Sequence, residues 1–178
     1  MNFRILDKDS KEAVTSLFTS VFTASEGEEE GRLIGHLASA LAANTDNQII
    51  IGIGAYEDDL MIGVIFFTQL RFNEPVEAYL LAPVAVSTPH QGKGVGQALI
   101  KFGLDELRKR SATLAVTYGD PAFYSRVGFQ ALSEEVVQAP RPLSMPQGWL
   151  GQPLSGTAIP VLKSRPSCVP EFDHPEYW

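Results

Sequence analysis

The chain has 178 residues, with 14 Lys and Arg against 21 Asp and Glu for a net charge of −7 at pH 7, and it is 44% hydrophobic and 20% charged. That length suits one well-filled core, since domains run to roughly 100–150 residues, and the composition excludes disordered, fibrous and membrane classes. The acidic balance excludes a general nucleic-acid binder, because neutralising phosphates takes a dense basic surface.

Met1 to Asp7 lack the basic start and apolar run of a secretory leader. No segment approaches the roughly 20 apolar residues of a membrane span. The one cysteine, Cys168, has no partner for an internal disulfide, and a cytoplasmic location is expected.

Residues 3–6 read as a short strand. Asp9 or Ser10 is placed to cap a helix through about Val21, in which Ala13, Val14, Leu17, Phe18 and Val21 repeat at helical spacing. A second helix is expected over 28–43, its Leu33, Ile34, Leu37, Ala40 and Leu41 on one face and Glu28, Glu29 and Glu30 at the positive end of its dipole. Strands follow at 48–56 and 60–70 around Glu57-Asp58-Asp59, an antiparallel hairpin. Gly52-Ile53-Gly54 inside it reads as close packing or a bulge.

After Asn73-Glu74-Pro75, residues 76–86 form a strand that runs into a glycine-rich loop and a helix from about Val95 to Arg110. A strand at 113–117, a short helix at 121–126 and a strand at 129–137 complete this part. Five of the twelve prolines lie from Pro140 to Pro160 and three more follow by Pro175, which excludes long helices there. Short strands are expected around 149–154 and 157–162. With no internal repeat and no linker, one domain over 1–178 is expected.

The run from Val84-Ala85-Val86 through Gln91-Gly92-Lys93-Gly94-Val95-Gly96 reads strand, tight loop, helix. Glycines at 92, 94 and 96 let the backbone take unusual dihedrals and approach a ligand. The first free amides of the helix, reinforced by its dipole, make an anion site. A P-loop would need Ser or Thr after Gly-Lys, and Lys93 is followed by Gly94; a dinucleotide fingerprint would need glycine at 97, which is Gln97.

Gln91-x-x-Gly94-x-Gly96, preceded by Val84-x-Val86 and followed by an amphipathic helix, resembles the Gln/Arg-x-x-Gly-x-Gly/Ala motif of the GNAT N-acetyltransferases. The resemblance implies that the loop amides of Gln91, Gly92, Lys93, Gly94, Val95 and Gly96 hold the pyrophosphate of coenzyme A. It implies also that the backbone of Val84, Ala85 and Val86 pairs with the pantetheine arm. A second block, Gly119-Asp120-Pro121-Ala122-Phe123-Tyr124-Ser125-Arg126-Val127-Gly128-Phe129, resembles the bacterial predicted-acetyltransferase branch with its Gly-Asp-Pro-x-Phe/Tyr-Tyr signature. There a tyrosine four residues before the Gly-Phe pair lies near the coenzyme sulfur, and Tyr124 holds that place.

The likeness is strong over 76–130 and thin after Pro140, where acceptor-side walls vary. It implies an α/β fold with a mixed, largely antiparallel central sheet, helices on both faces, and a cofactor cleft splayed between the strands at 76–86 and 113–117. It implies acetyl transfer from acetyl-CoA to a primary amine, of a small molecule or a peptide, by direct attack in a ternary complex. A non-catalytic acyl-CoA-binding sensor is the alternative. Nucleic acid and membrane are not expected as partners, and a homodimer is left open.

A departing thiolate must be protonated, and a phenol with pKa near 10 keeps its proton at neutral pH to do so. Tyr124 is either that donor or a core aromatic between Phe123 and Phe129. The attacking amine must lose a proton, and the nearest carboxylates are Glu77 and Glu74; Glu77 is either the base or surface charge. Asp120 reads as a cap before Pro121. His90 either touches a phosphate or belongs to the loop alone. His36, His90 and His174 lack metal-ligand spacing, and Ser87, Thr88 and Cys168 lack a nucleophile motif.

Overall fold

The computed structural model describes residues 1–178. They divide into two compact units, residues 1–67 with 83–102, and residues 68–82 with 103–178. Seven strands are hydrogen-bonded in the order β1-β2-β3-β4-β5-β7-β6, mostly antiparallel, in an α/β fold with four α-helices. No helix is long and apolar enough to cross a membrane.

In the first unit β1 (Asn2–Ile5) pairs antiparallel with β2 (Ile50–Glu57), Asn2 facing Tyr56 and Ile5 facing Ile53. Asp58 and Asp59 both take positive φ, 46° and 68°, in the two-residue turn that leads to β3 (Leu60–Leu70). Asp tolerates that region better than bulky residues do, and two such residues match the twist of a tight hairpin. β2 starts two residues later than the apolar pattern suggests, because the Asp46 carboxylate accepts from the amides of Gln48, Ile49 and Ile50 and holds them in a turn.

α1 (Lys11–Glu26) runs five residues past the expected end at Val21. Its expected cap is also corrected: Ser10 makes no side-chain capping bond, and it is Asp7 that accepts from the Asp9 amide at the start of a preceding 3-10 turn. α2 (Glu28–Ala43) follows after Gly27, whose φ of 99° makes the sharp reversal between the helices. Val14, Phe18 and Val21 form the buried stripe of α1, with Phe18 against Phe66 of β3 at 6.1 Å between ring centroids.

Thr19 and, in the added length of α1, Thr23 both meet α2. A Cβ at Gly31 would lie 1.9 Å from Thr23 Oγ1 and 2.9 Å from its backbone nitrogen, and one at Gly35 would lie 2.0 Å from Thr19 Oγ1. The two helices therefore approach through glycine. Close packing also explains Gly54, where a Cβ would meet the Tyr56 ring at 2.8 Å, and Gly52, where it would meet Phe66 at 3.0 Å.

In the second unit the first part of β4 (Ala78–Val86) pairs parallel with β5 (Leu114–Tyr118), from Ala78 opposite Leu114 to Leu81 opposite Thr117. β4 begins at Ala78 rather than 76, so Glu77 precedes the strand. α3 (Val95–Lys109) leads to β5, and α4 (Pro121–Tyr124) follows it, capped by Asp120, which accepts from the Ala122 amide. The expected strand over 129–137 shrinks to β6 (Gln130–Ala131): Ser133 starts a turn, its carbonyl accepting from Val136 and Val137 and its hydroxyl from the Glu135 amide.

β7 (Trp149–Pro153) lies between β5 and β6, antiparallel to both. The second expected tail strand, over 157–162, does not form; Gly156 turns the chain with φ of 73°, and Leu162 makes a single backbone bond to Val136. Aromatic side chains hold the proline-rich segment instead. Trp149 Nε1 donates to Val137, Trp178 Nε1 donates to Phe172, and the two indoles meet edge to face at 6.2 Å.

Replacing Gly31 or Gly35 with Ala is expected to destabilise the protein by about 1–3 kcal/mol through overpacking, although Ala favours an isolated helix by about 1 kcal/mol. Denaturant midpoints of the two variants check this, and Thr19→Ala should recover most of the loss in the Gly35→Ala background.

Candidate active site

In the first unit β4 ends with burial alternating along the strand: Pro83 and Ala85 are buried, Val84 and Val86 half-buried. The Ser87 amide donates to Ile62 of β3, and one 3-10 turn, Thr88–His90, follows with Pro89 in its first turn. Gln91 then folds back, its Nε2 donating to the Val86 carbonyl at 2.9 Å. That bond fixes the entry of the loop while leaving the carbonyl a second lone pair.

Gly92 and Gly94 adopt φ of 75° and 81°, and a Cβ built at either meets nothing within 4 Å. Backbone conformation therefore demands glycine at both, and the space above them stays open for a ligand. Gly96 differs from expectation. It lies in the first turn of α3, is buried, and has no positive φ, so no unusual dihedral calls for glycine there.

Ala98 donates to the Gly94 carbonyl at 3.0 Å. The amides of Val95, Gly96 and Gln97 precede that bond and have no acceptor within the helix. Together with the positive end of the dipole they form an anion cradle beside exposed Lys93.

His90 is engaged at both nitrogens. Nδ1 lies 2.6 Å from Ser87 Oγ and Nε2 lies 3.3 Å from Glu57 Oε2. One nitrogen thus faces a hydroxyl and the other a carboxylate. His90 thus buttresses the loop entrance and has no nitrogen spare for a phosphate. Ser87 does have a histidine and a carboxylate in line with it, which sequence spacing hid because Glu57 comes from the β2–β3 hairpin 30 residues earlier.

In the second unit Tyr124 ends α4, its ring edge to face with Phe123 at 4.9 Å and with Phe129 at 5.8 Å. It also lies directly over Gly119, where a Cβ would come within 2.8 Å of Tyr124 Cε2. Burial pushes the phenol pKa up to about 12; a hydrogen bond with Thr117 pulls it down and the charge of Asp120 raises it further. Thr117 is fully buried, and its hydroxyl donates to the Leu81 carbonyl at 2.7 Å. Sequence reading passed over Thr117, for which the one signal is a hydroxyl in the otherwise apolar run Leu114-Ala115-Val116.

Glu77 is exposed. Its amide donates to Thr113 Oγ1, its carbonyl accepts from Thr113, and its carboxylate lies 3.4 Å from Gln69 Nε2. Four residues of extended chain, about 13 Å at strand rise, separate it from Leu81, so Glu77 and Tyr124 are not brought together. Glu74 is engaged elsewhere: its carboxylate accepts from the Ser164 hydroxyl and the Lys163 amide, which hold its pKa below the usual value.

Residues 2–132 match the family described as the acetyltransferase (GNAT) domain. The chain belongs to the GNAT family. The uncharacterised N-acetyltransferase YhbS of Escherichia coli K12 is 32% identical to this GNAT chain over 107 residues, which are 59% of this chain and 60% of that protein. The match thus spans about three fifths of that curated relative. A crystal structure of Escherichia coli YhbS in complex with CoA superposes with a TM-score of 0.79 at 23% identity, covering 97% of this chain and 92% of that one. A GNAT acetyltransferase from Brucella melitensis in complex with acetyl-CoA gives a TM-score of 0.70 at 23% identity, covering 97% of each chain. At these identities the likeness is one of fold.

Two outcomes follow for this GNAT chain. Gly94→Ala forces an L-residue into the left-handed region at about 1–2 kcal/mol, and calorimetric titration with coenzyme A should show affinity about five- to thirtyfold weaker at that cost. Gly119→Ala should displace the Tyr124 ring, lowering turnover while the same titration shows coenzyme A affinity within about twofold of the parent, because the loop is untouched.

Proposed function

We propose that this chain moves the acetyl group of acetyl-CoA to a primary amine by direct attack within a ternary complex. The observation that carries the reading is the loop at Gln91–Gly96, where two left-handed glycines and the start of α3 turn a row of backbone amides toward open space. Those amides would hold the pyrophosphate of acetyl-CoA, Lys93 would add a charge, and the backbone of Val84, Ala85 and Val86 would pair with its pantetheine arm. Acetyl-CoA supplies the activated acyl group.

Tyr124 is assigned as the proton donor to the leaving thiolate. With its pKa pushed up to about 12 it stays protonated throughout the neutral range, which a donor requires. Glu77 is assigned to take up the proton of the amine, reaching the reacting atoms through water. The run Gly119-Asp120-Pro121-Ala122-Phe123-Tyr124 supports membership of the bacterial branch with the Gly-Asp-Pro-x-Phe/Tyr-Tyr signature.

The test is thiol release from acetyl-CoA across polyamines, amino sugars, and peptides offering lysine side chains or free N-termini. One group of amines should give steady-state turnover; none doing so would leave an acyl-CoA-binding sensor. With an active amine, Tyr124→Phe should lower kcat by roughly 10- to 1000-fold with coenzyme A affinity nearly intact, a loss around the range of general acid catalysis. Full activity in that variant would return Tyr124 to the core.

A further inference from the structure

The hydroxyl of Thr117 lies where the pairing of β4 with β5 stops. It sits opposite Leu81 in the last rung of the β4–β5 pairing, fully buried, and donates across the strands to the Leu81 carbonyl at 2.7 Å. The edge of the Tyr124 ring meets Gly119, with Cε2 at 2.8 Å and Cζ at 3.7 Å from where its Cβ would be. The Tyr124 phenol is hydrogen-bonded to the Thr117 side chain.

A hydroxyl has one proton and two lone pairs. While Thr117 gives its proton to Leu81, it can only accept from Tyr124. Once Tyr124 has lost its proton, the phenolate becomes the stronger acceptor, and rotation about one bond turns the Thr117 O–H from the carbonyl to the phenolate.

We propose that Thr117 is a positioning residue for Tyr124, a buried hydroxyl that parks its proton on Leu81 in the resting protein and turns it onto the phenol oxygen as Tyr124 gives up its own. This rests on the assignment of Tyr124 as proton donor. In the balanced step the amine nitrogen bonds to the acetyl carbon, the carbon–sulfur bond breaks, and the Tyr124 proton passes to sulfur. The amine's surplus proton passes through water to Glu77 and from there, again through water, back to the phenolate, whereupon Thr117 swings back to Leu81. No proton leaves Thr117 at any point. Asp120, the charged group whose field reaches the phenol, opposes its ionisation, so the threonine is the group on this strand that assists it.

The experiment replaces residue 124 with 3,5-difluorotyrosine, whose more acidic phenol titrates within the stable pH range, and follows its ionisation by fluorine NMR. In that protein Thr117→Val should move the midpoint to higher pH, while Thr117→Ser, which keeps the hydroxyl, should leave it close to the parent. Thr117→Cys, a weaker donor, should fall between, and it serves if the valine variant does not fold. With natural tyrosine and an active amine, Thr117→Val should lower kcat about tenfold, Thr117→Ser should restore it to within about threefold, and coenzyme A affinity should hold within twofold throughout.

A midpoint unmoved in both the valine and cysteine variants overturns the proposal. So does full kcat in Thr117→Val when Tyr124→Phe is slow. Full kcat in Tyr124→Phe instead removes the proton-donor assignment beneath it, and the two failures are told apart by that variant.

Discussion

A parallel pair of strands leaves backbone carbonyls to be satisfied where the pairing stops, and a buried carbonyl without a partner costs on the order of 1–3 kcal/mol. In this protein the pairing of β4 with β5 stops at Leu81 and Thr117, and the Leu81 carbonyl is met by a side-chain hydroxyl. That substitution lets β4 run on to Val86 without β5 beside it in the observed register. It also brings a titration-neutral, rotatable donor to the phenol of Tyr124. One bond thus ends a ladder and shapes the surroundings of the Tyr124 phenol.

Glycine is used for opposite ends at two sets of positions. At Gly92 and Gly94 it supplies left-handed backbone with open space above, which suits an arriving anion. At Gly31, Gly35 and Gly119 it supplies room for a neighbour already present, a threonine hydroxyl in α1 or the ring of Tyr124. Substitutions at the first pair act on a loop and its ligand; those at the second act on packing. The distinction follows from φ and from the nearest atom, and residue identity alone does not reveal it.

The tail shows how a segment too rich in proline for helices can still be ordered. Its indoles and rings bury themselves on Val137, Phe172 and one another, and Glu74 pins residues 163 and 164 through their amides. Glu74 is therefore spent on structure, which leaves Glu77 as the carboxylate near the start of β4 with its charge exposed.

Local chemistry was readable from the chain. Helical periodicity placed α2 and α3 closely, hydrophobic runs located β2 to β5, Asp120-Pro121 announced the capped start of α4, and Gln91 to Gly96 announced a loop from strand into helix, because each rests on neighbours within a few positions. Where α1 ends, why 129–137 bends at Ser133, and why 157–162 forms no strand were decided by contacts from distant sequence, or by a turn that competes with pairing. The same holds for the site. The sequence named Tyr124 but could not reveal that it lies over Gly119 and bonds to Thr117, nor that His90 is held between Ser87 and Glu57. Propensity and motif act along the chain, whereas a buried hydroxyl's partner is set by which strands lie side by side, and that is a property of the folded protein alone.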